Sequence, residues 1–260
     1  MEVICFDVDG TLRGITEDHA IPESTIRCLK ALQKNGHKII VSTGRGLDSL
    51  HRTQIFDIAH FDGYVINNGQ LVLDENENIL GKNVMDPEAV KETIAVADSL
   101  GYAVTLKMGD RIITKEPDEY VLRTQKYFGN VIPKVGRYNG KDDVYAMCLF
   151  GPMCYDYAPF KKIKGITVAP GMVTYADATI AGVSKATGNN VFVKKFKSDG
   201  YIAFGDSQND LEMFKEAKLA ICMGNGDPLT KEAADYVTDD IEHDGIYKAC
   251  VHFGWIKEGE

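Results

Sequence analysis

Asp7 and Asp9 stand two residues apart directly after the apolar run of residues 2–6, in the string Asp7-Val8-Asp9-Gly10-Thr11. In extended chain, residues i and i+2 point the same way. Both carboxylates can therefore face one cleft beyond the end of a strand, where open α/β sheets bind ligands. Two crowded carboxylates tolerate each other when a divalent cation lies between them or when one holds a proton. Both conditions suit phosphoryl transfer. An ionised Asp7 could attack phosphorus; a protonated Asp9 could donate to the leaving oxygen and then act as base toward water. Gly10 permits a close backbone approach. Taken alone, the string also suits a surface turn.

Three further clusters bear on the same chemistry. Ser42-Thr43-Gly44-Arg45 ends a second apolar run, and a hydroxyl with backbone N–H groups at a strand-to-helix turn can hold phosphate oxygens or simply cap a helix. Lys185, in the string GVSKATG, falls at an expected helix start, where a cation opposes the macrodipole. That placement calls for an anion nearby, a phosphate or Asp7, unless the lysine is an ordinary solvated one. The stretch after it, ATGNN, reads as poorly helical. Gly205-Asp206-Ser207-Gln208-Asn209-Asp210 follows the run YIAF. Asp206 at that strand tip could ligate a metal, with Asn209 and Asp210 in the first helical turn; acids also favour such positions as caps. Mg²⁺ prefers hard oxygen ligands and keeps some of its waters, so Asp7, Asp206 and the Asp9 backbone carbonyl would be a sensible protein share. The four clusters together are far more specific than any one.

The elements that must position them alternate. An expected helix over 22–35 begins at Pro22 and spaces Ile26, Leu29 and Leu32 helically. The run HKIIVSTGR follows, then a helical stretch around 47–55, then the strand-like DGYVINNG. YIAFGDSQND, LEMFKEAK, LAICMGNG, a short helix over 228–234, a short strand YVT and a closing helix over 245–253 repeat the alternation. Such alternation implies parallel βαβ units and one doubly wound, Rossmann-like α/β core, made of residues 1–81 and 178–260. The middle differs: a helix over 86–100, strands in YAVTLKM, RIITK and VYAMCLF, and a helix in YVLRTQKYF. Residues 82–177 read as an inserted α/β cap, hinged near 81–84 and 177–183.

Composition narrows the partners. The 29 Lys and Arg against 38 Asp and Glu leave a formal charge of −9, which disfavours nucleic acid and anionic lipid surfaces. No stretch approaches the ~20 apolar residues of a membrane-spanning helix, and the acidic N-terminus does not resemble a secretory signal. The six cysteines form no C-x-x-C pair; several sit inside apolar runs (VICF, MCLF, AICM) and read there as buried thiols of a reducing compartment, so the expected location is cytoplasmic.

With these motifs in this order, the sequence resembles the haloacid dehalogenase superfamily of phosphatases. DVDGT resembles its first motif, STGR its second, Lys185 in GVSK its third and GDSQND its fourth. INNG (Ile66–Gly69) and the ending ADYVTDDIEHDGIYKA resemble the Cof-type (subclass IIB) branch, whose cap lies between the second and third motifs. The resemblance implies a Mg²⁺-dependent phosphatase of small phosphorylated metabolites, sugar phosphates such as hexose phosphates favoured. Asp7 would be nucleophile and metal ligand, and Asp9 acid/base and ligand through its carbonyl. Thr43, Gly44, Lys185 and Asn209 would hold the phosphoryl group, Asp206 would ligate Mg²⁺, and Asp210 would order the surrounding waters. Arg45 and Asn68 would face substrate. Substrate selection would fall to the cap, with Lys107, Arg111, Arg123 and Lys126 as candidate polar contacts. Other readings are a phosphomutase on the same scaffold, which would yield isomerised sugar phosphate in place of free phosphate; a signalling receiver, which would hold a stable aspartyl phosphate; and a binding protein without turnover.

Overall fold

The computed structural model describes residues 1–16 and 18–260. Its first segment lays down β1 (Val3–Phe6), α1 (Glu23–Lys34), β2 (Lys38–Ser42), α2 (Leu47–Leu50), α3 (Ile55–Ile58), β3 (Gly63–Ile66), β4 (Leu71–Asp74) and β5 (Ile79–Lys82). The middle segment adds α4 (Pro87–Leu100), β6 (Val104–Lys107), β7 (Ile112–Ile113), α5 (Glu119–Phe128), β8 (Lys134–Val135), β9 (Ala146–Phe150), β10 (Ile166–Pro170) and β11 (Tyr175–Ile180). The last segment holds α6 (Lys185–Phe196), β12 (Ile202–Gly205), α7 (Leu211–Glu216), β13 (Leu219–Cys222), α8 (Pro228–Ala233), β14 (Tyr236–Val237) and α9 (Gly245–His252).

Two sheets result. The first has eight strands in the order β14-β13-β12-β1-β2-β3-β4-β5. Its pairings are parallel from β14 to β3 and antiparallel from β3 to β5. The chain leaves β1 for β2 on one side and reaches β12 on the other. The crevice beyond β1 and its neighbours is thus a topological switch point, where such sheets bind ligands.

Period-2 burial explains why these runs become central strands. Ile4, Phe6, Ile39, Val41, Ile202 and Phe204 pack on one face with Leu29 and Leu32 of α1 and Ile246 and Cys250 of α9. Val3, Cys5, Ile40, Val65 and Ala203 pack on the other with Phe192 of α6 and Met213 and Phe214 of α7. With both faces covered, the strands read as continuous apolar runs.

The second sheet has six strands, β10-β11-β9-β6-β7-β8. One face packs Val104, Leu106, Met147, Leu149, Ala176 and Ala178 against Val90 and Ala97 of α4. The alternate residues Thr105, Lys107 and Asp177 look toward the first sheet's strand ends, and all three line a shared cavity there. Strand β11 runs through Asp177 to Ile180, the length its register with β10 requires (Ile166 against Ile180).

Two expectations are corrected and one hairpin is new. The helix around 47–55 is two four-residue pieces, α2 and α3, interrupted where the Thr53 hydroxyl donates to the Leu50 carbonyl at 2.6 Å and so competes with the helical ladder. The hairpin β4–β5 belongs to the first sheet and was not foreseen; the Asn67-Asn68-Gly69 turn, all at positive φ, reverses the chain after β3. The ATGNN stretch is fully helical within α6. Gly188 is there because a Cβ would lie 2.4 Å from Val65 Cγ1 of β3, so glycine sets how closely helix and sheet approach.

Gly188→Ala would improve helix propensity by about 1 kcal/mol. Overpacking costs typically ~1–3 kcal/mol, so we expect a net fall in Tm. Thermal melts check this: Val65→Ala in the same background should recover part of the loss, and a rise in Tm on Gly188→Ala alone would contradict the packing account.

Candidate active site

Asp7 continues β1, and its N–H donates to the Phe204 carbonyl of β12 at 2.9 Å. Asp206 follows β12, so adjacent parallel strands bring the two carboxylates into one crevice. Gly10, at φ +88°, is obligatory: a Cβ would lie 2.3 Å from Asp206 Oδ2. Lys185, the first residue of α6, is fully buried and joins the cluster from below. Its Nζ donates to Asp7 Oδ1 at 2.6 Å and to Asp210 Oδ1 at 2.7 Å. The other Asp210 oxygen accepts from the backbone N–H groups of Asp206 and Ser207 at 3.0 and 3.2 Å. Asp210 therefore ties the lysine to the Asp206 loop.

The charges do not balance. One lysine faces the carboxylates of Asp7, Asp206 and Asp210, whose oxygens lie within 4.8 Å of one another. Asp206 Oδ1 is buried with no hydrogen-bond partner. Burial, then the charges of Asp7 and Asp210, push the Asp206 carboxyl well above its usual range. Burial also raises Asp7, against the pull of Lys185, up to about 7. Two surplus negative charges and an orphaned hard oxygen fit a divalent cation. Because Asp210 is already engaged on both oxygens, Asp7 and Asp206 are the groups free to hold it.

Asp9 has a different environment. Arg45 grips it with a fork, Nε to Oδ2 at 2.6 Å and Nη2 to Oδ1 at 2.8 Å, and Arg13 Nη1 adds a contact to Oδ1 at 3.0 Å. Burial alone would raise this carboxyl, but Arg45 and Arg13 outweigh it and hold Asp9 below the carboxylate norm. Arg45 reaches further, donating to the Phe128 carbonyl at 2.9 Å and Asn130 Oδ1 at 2.7 Å. These lie at the C-terminal end of α5, whose partial negative charge favours a cation.

Thr43 and Gly44 follow β2. Thr43 Oγ1 accepts from the Arg45 N–H at 3.1 Å, and α2 is too short to offer more than a small dipole. Asn68, at φ 57°, donates to Asp177 Oδ2 of β11 at 3.0 Å and accepts from Asn209 Nδ2 at 3.3 Å. Lys107 Nζ donates to the Gly44 carbonyl and to Asp177 Oδ1, both at 2.9 Å. Arg111 Nε donates to Asp48 Oδ2 at 2.6 Å. A cavity of about 130 Å³ lies between the strand ends and the second sheet.

Asp7, Asp9, Thr43, Gly44, Arg45, Asp206 and Asn209 all line this cavity; Lys185, Asp210 and Asn68 back it. Of the cap candidates, Lys107 and Arg111 line it, whereas Arg123 and Lys126 lie exposed away from it. The helical period separates them: Val121, Thr124 and Gln125 face inward on α5, leaving 123 and 126 outside. Arg13, Asn130 and Asp177 were missed. Strand alternation alone could have found Asp177, which lies between the inward Ala176 and Ala178.

Carboxylates gathered at parallel strand ends beside a buried lysine, with a second α/β layer above, define a phosphatase. Residues 4–250 match the profile of the haloacid dehalogenase-like hydrolases, and the chain belongs to that family, in its Cof-type branch. It is 30% identical to the HAD subclass IIB sugar phosphatase BT4131, with a TM-score of 0.88 over 98% of this chain and 100% of that one. BT1666 from Bacteroides thetaiotaomicron, a phosphatase of the same superfamily, is 27% identical with a TM-score of 0.87 over 98% and 96% of the two chains. YcsE of Bacillus subtilis strain 168, a 5-amino-6-(5-phospho-D-ribitylamino)uracil phosphatase, is 24% identical over 97% of this chain and 96% of its own.

Removing one unbalanced carboxylate should stabilise the metal-free protein. In chelator, Asp206→Asn is expected to melt a few degrees above wild type, on the order of 1–2 kcal/mol. Millimolar Mg²⁺ should raise the wild-type Tm and leave the variant's nearly unchanged. A variant less stable in chelator, or equally responsive to Mg²⁺, would falsify the cation assignment.

Proposed function

We propose that this protein is a Mg²⁺-dependent phosphatase of small phosphorylated metabolites that works through an aspartyl phosphate on Asp7. The observation that carries the reading is the fully buried Lys185 joined to Asp7 and Asp210 beside the unpartnered Asp206 oxygen. Mg²⁺ would be held by Asp7, Asp206 and the Asp9 backbone carbonyl, and when bound supplies charge neutralisation between the anionic ester and the anionic nucleophile.

The chain's own groups then divide the work. An Asp7 carboxylate oxygen attacks phosphorus, the bond from phosphorus to the leaving oxygen breaks, and Asp9 gives that oxygen its proton. Water next attacks the phosphorus of the acyl phosphate, Asp9 takes the proton, and inorganic phosphate leaves with Asp7 restored. Lys185, the Thr43 hydroxyl, the Gly44 backbone and Asn209 surround the equatorial oxygens, where preorganised donors lower the barrier most. Both Asp9 oxygens are held by Arg45 and Arg13 in the present arrangement. An arriving ester gives Arg45 a second anionic acceptor, which loosens the fork and lets Asp9 carry a proton.

Sugar phosphates, hexose phosphates first among them, are the favoured substrates. Support comes from the sugar phosphatase relative and from a cavity lined both by the aromatic rings of Tyr127, Phe128 and Tyr175 and by polar groups. Closure of residues 82–177 over the site would exclude water from the reacting atoms.

Phosphate release from a panel of phosphorylated metabolites, with Mg²⁺ and with chelator, tests this reading. Wild type should turn over only with the metal, and Asp7→Asn should lose roughly 10⁴-fold or more in kcat. Turnover that survives in Asp7→Asn would remove Asp7 from the nucleophile's role.

A further inference from the structure

The cavity wall above the phosphate end carries a cation, Lys107, matched by a carboxylate that lines the same wall. Among the described residues, the wall's cationic side chains are Arg45, Lys107 and Arg111. Arg45 shares Asp9 with Arg13, and Arg111 shares Asp48 with Arg52, whereas Lys107 pairs with Asp177 at 2.9 Å. The Lys107–Asp177 pair is nearly buried, the two side chains only 14% and 10% exposed. A second anionic group on a substrate that approached Lys107 would therefore meet Asp177 as well, and like charges brought together this way cost binding.

Two more features favour uncharged hydroxyl groups. Gln125 Oε1 is buried beside the cavity with no hydrogen-bond partner. An amide oxygen only accepts, so it suits a hydroxyl that can donate and offers nothing to a carboxylate or phosphate. Tyr127, Phe128 and Tyr175 supply apolar ring surface on the same wall.

Resting on the phosphatase reading, we propose that Asp177 is a specificity-determining residue: by neutralising Lys107 it favours neutral, polyhydroxylated leaving groups at that end of the cavity over ones that place a second anion there. Asp177 acts on the part of the substrate that departs, and the phosphoryl group is handled by other residues. Its position is set by β11, where it accepts from both Lys107 and Asn68 on its two oxygens.

The test compares sorbitol 6-phosphate with 6-phosphogluconate, which share chain and phosphate and differ at one end, hydroxymethyl against carboxylate. Wild type should prefer sorbitol 6-phosphate in kcat/KM by about tenfold or more, the scale of one unfavourable charge contact. Asp177→Asn should cut that ratio by about tenfold, chiefly through a lower KM for 6-phosphogluconate. Lys107→Met, which leaves Asp177 unneutralised, should move the ratio the other way, so the proposal is read from both sides even if one variant misfolds; far-UV circular dichroism reports folding. A ratio unmoved in the folded variants, or a wild type that prefers the carboxylate or refuses sorbitol 6-phosphate, overturns the proposal. Hydrolysis of p-nitrophenyl phosphate is followed in parallel. Its absence would bring down the phosphatase reading and this proposal with it, whereas its presence with an unmoved ratio would bring down this proposal alone.

Discussion

Lys185 Nζ lies 2.6 Å from Asp7 Oδ1 and 2.7 Å from Asp210 Oδ1, with no exposure to solvent. An ammonium taken out of water is costly unless its partners are close and well oriented. That demand links three parts of the chain that are remote in sequence: the end of β1, the start of α6 and the loop after β12. The parallel order places β1 beside β12, and α6 packs across the sheet through Phe192, which delivers the lysine under the strand ends. Gly10 is a further consequence, removing a Cβ where the loop after β1 meets Asp206, and Gly188 lets α6 lie close on Val65 of β3.

A fully satisfied cluster would serve stability better than this one does. Asp206 keeps an oxygen without a partner and sits beside two other carboxylates. Such excess charge is tolerated because the remaining structure is well packed, with both faces of the first sheet covered by helices. Local rules of polar satisfaction are commonly broken where a protein binds an ion or a substrate.

The second sheet is joined to the first by polar contacts around the cavity. Arg45 and Arg13 reach the Phe128 carbonyl at the end of α5, Asn68 reaches Asp177, and Lys107 reaches the Gly44 carbonyl. Interfaces of this polar kind separate more readily than apolar ones. Arg45 and Arg13 thus hold Asp9 and the end of α5 at once, which couples the placement of Asp9 to the position of α5.

Much of the core was legible in the residues because the physics there is local. Apolar runs ending in Asp or Ser-Thr-Gly turns mark strand tips, and DxDG or GDSQND strings need no distant partner to be recognised; the strand-end positions of Asp7, Asp9, Thr43 and Asp206 follow from them. The fork from Arg45 to Asp9, the joining of Lys185 to Asp210, and the pairing of Lys107 with Asp177 were not legible. Each depends on two segments meeting across 25 to 70 positions of sequence. Charge alone could not separate Lys107 and Arg111, which line the cavity, from Arg123 and Lys126, which do not. Strand and helix period settle which way each side chain points, and only the packing of the two layers decides what it meets there. The sequence by itself determined the chemical groups and their strand-end placement; the tertiary structure decided their partners, because burial and pairing, which set a charged group's behaviour, arise only when remote segments exclude water together.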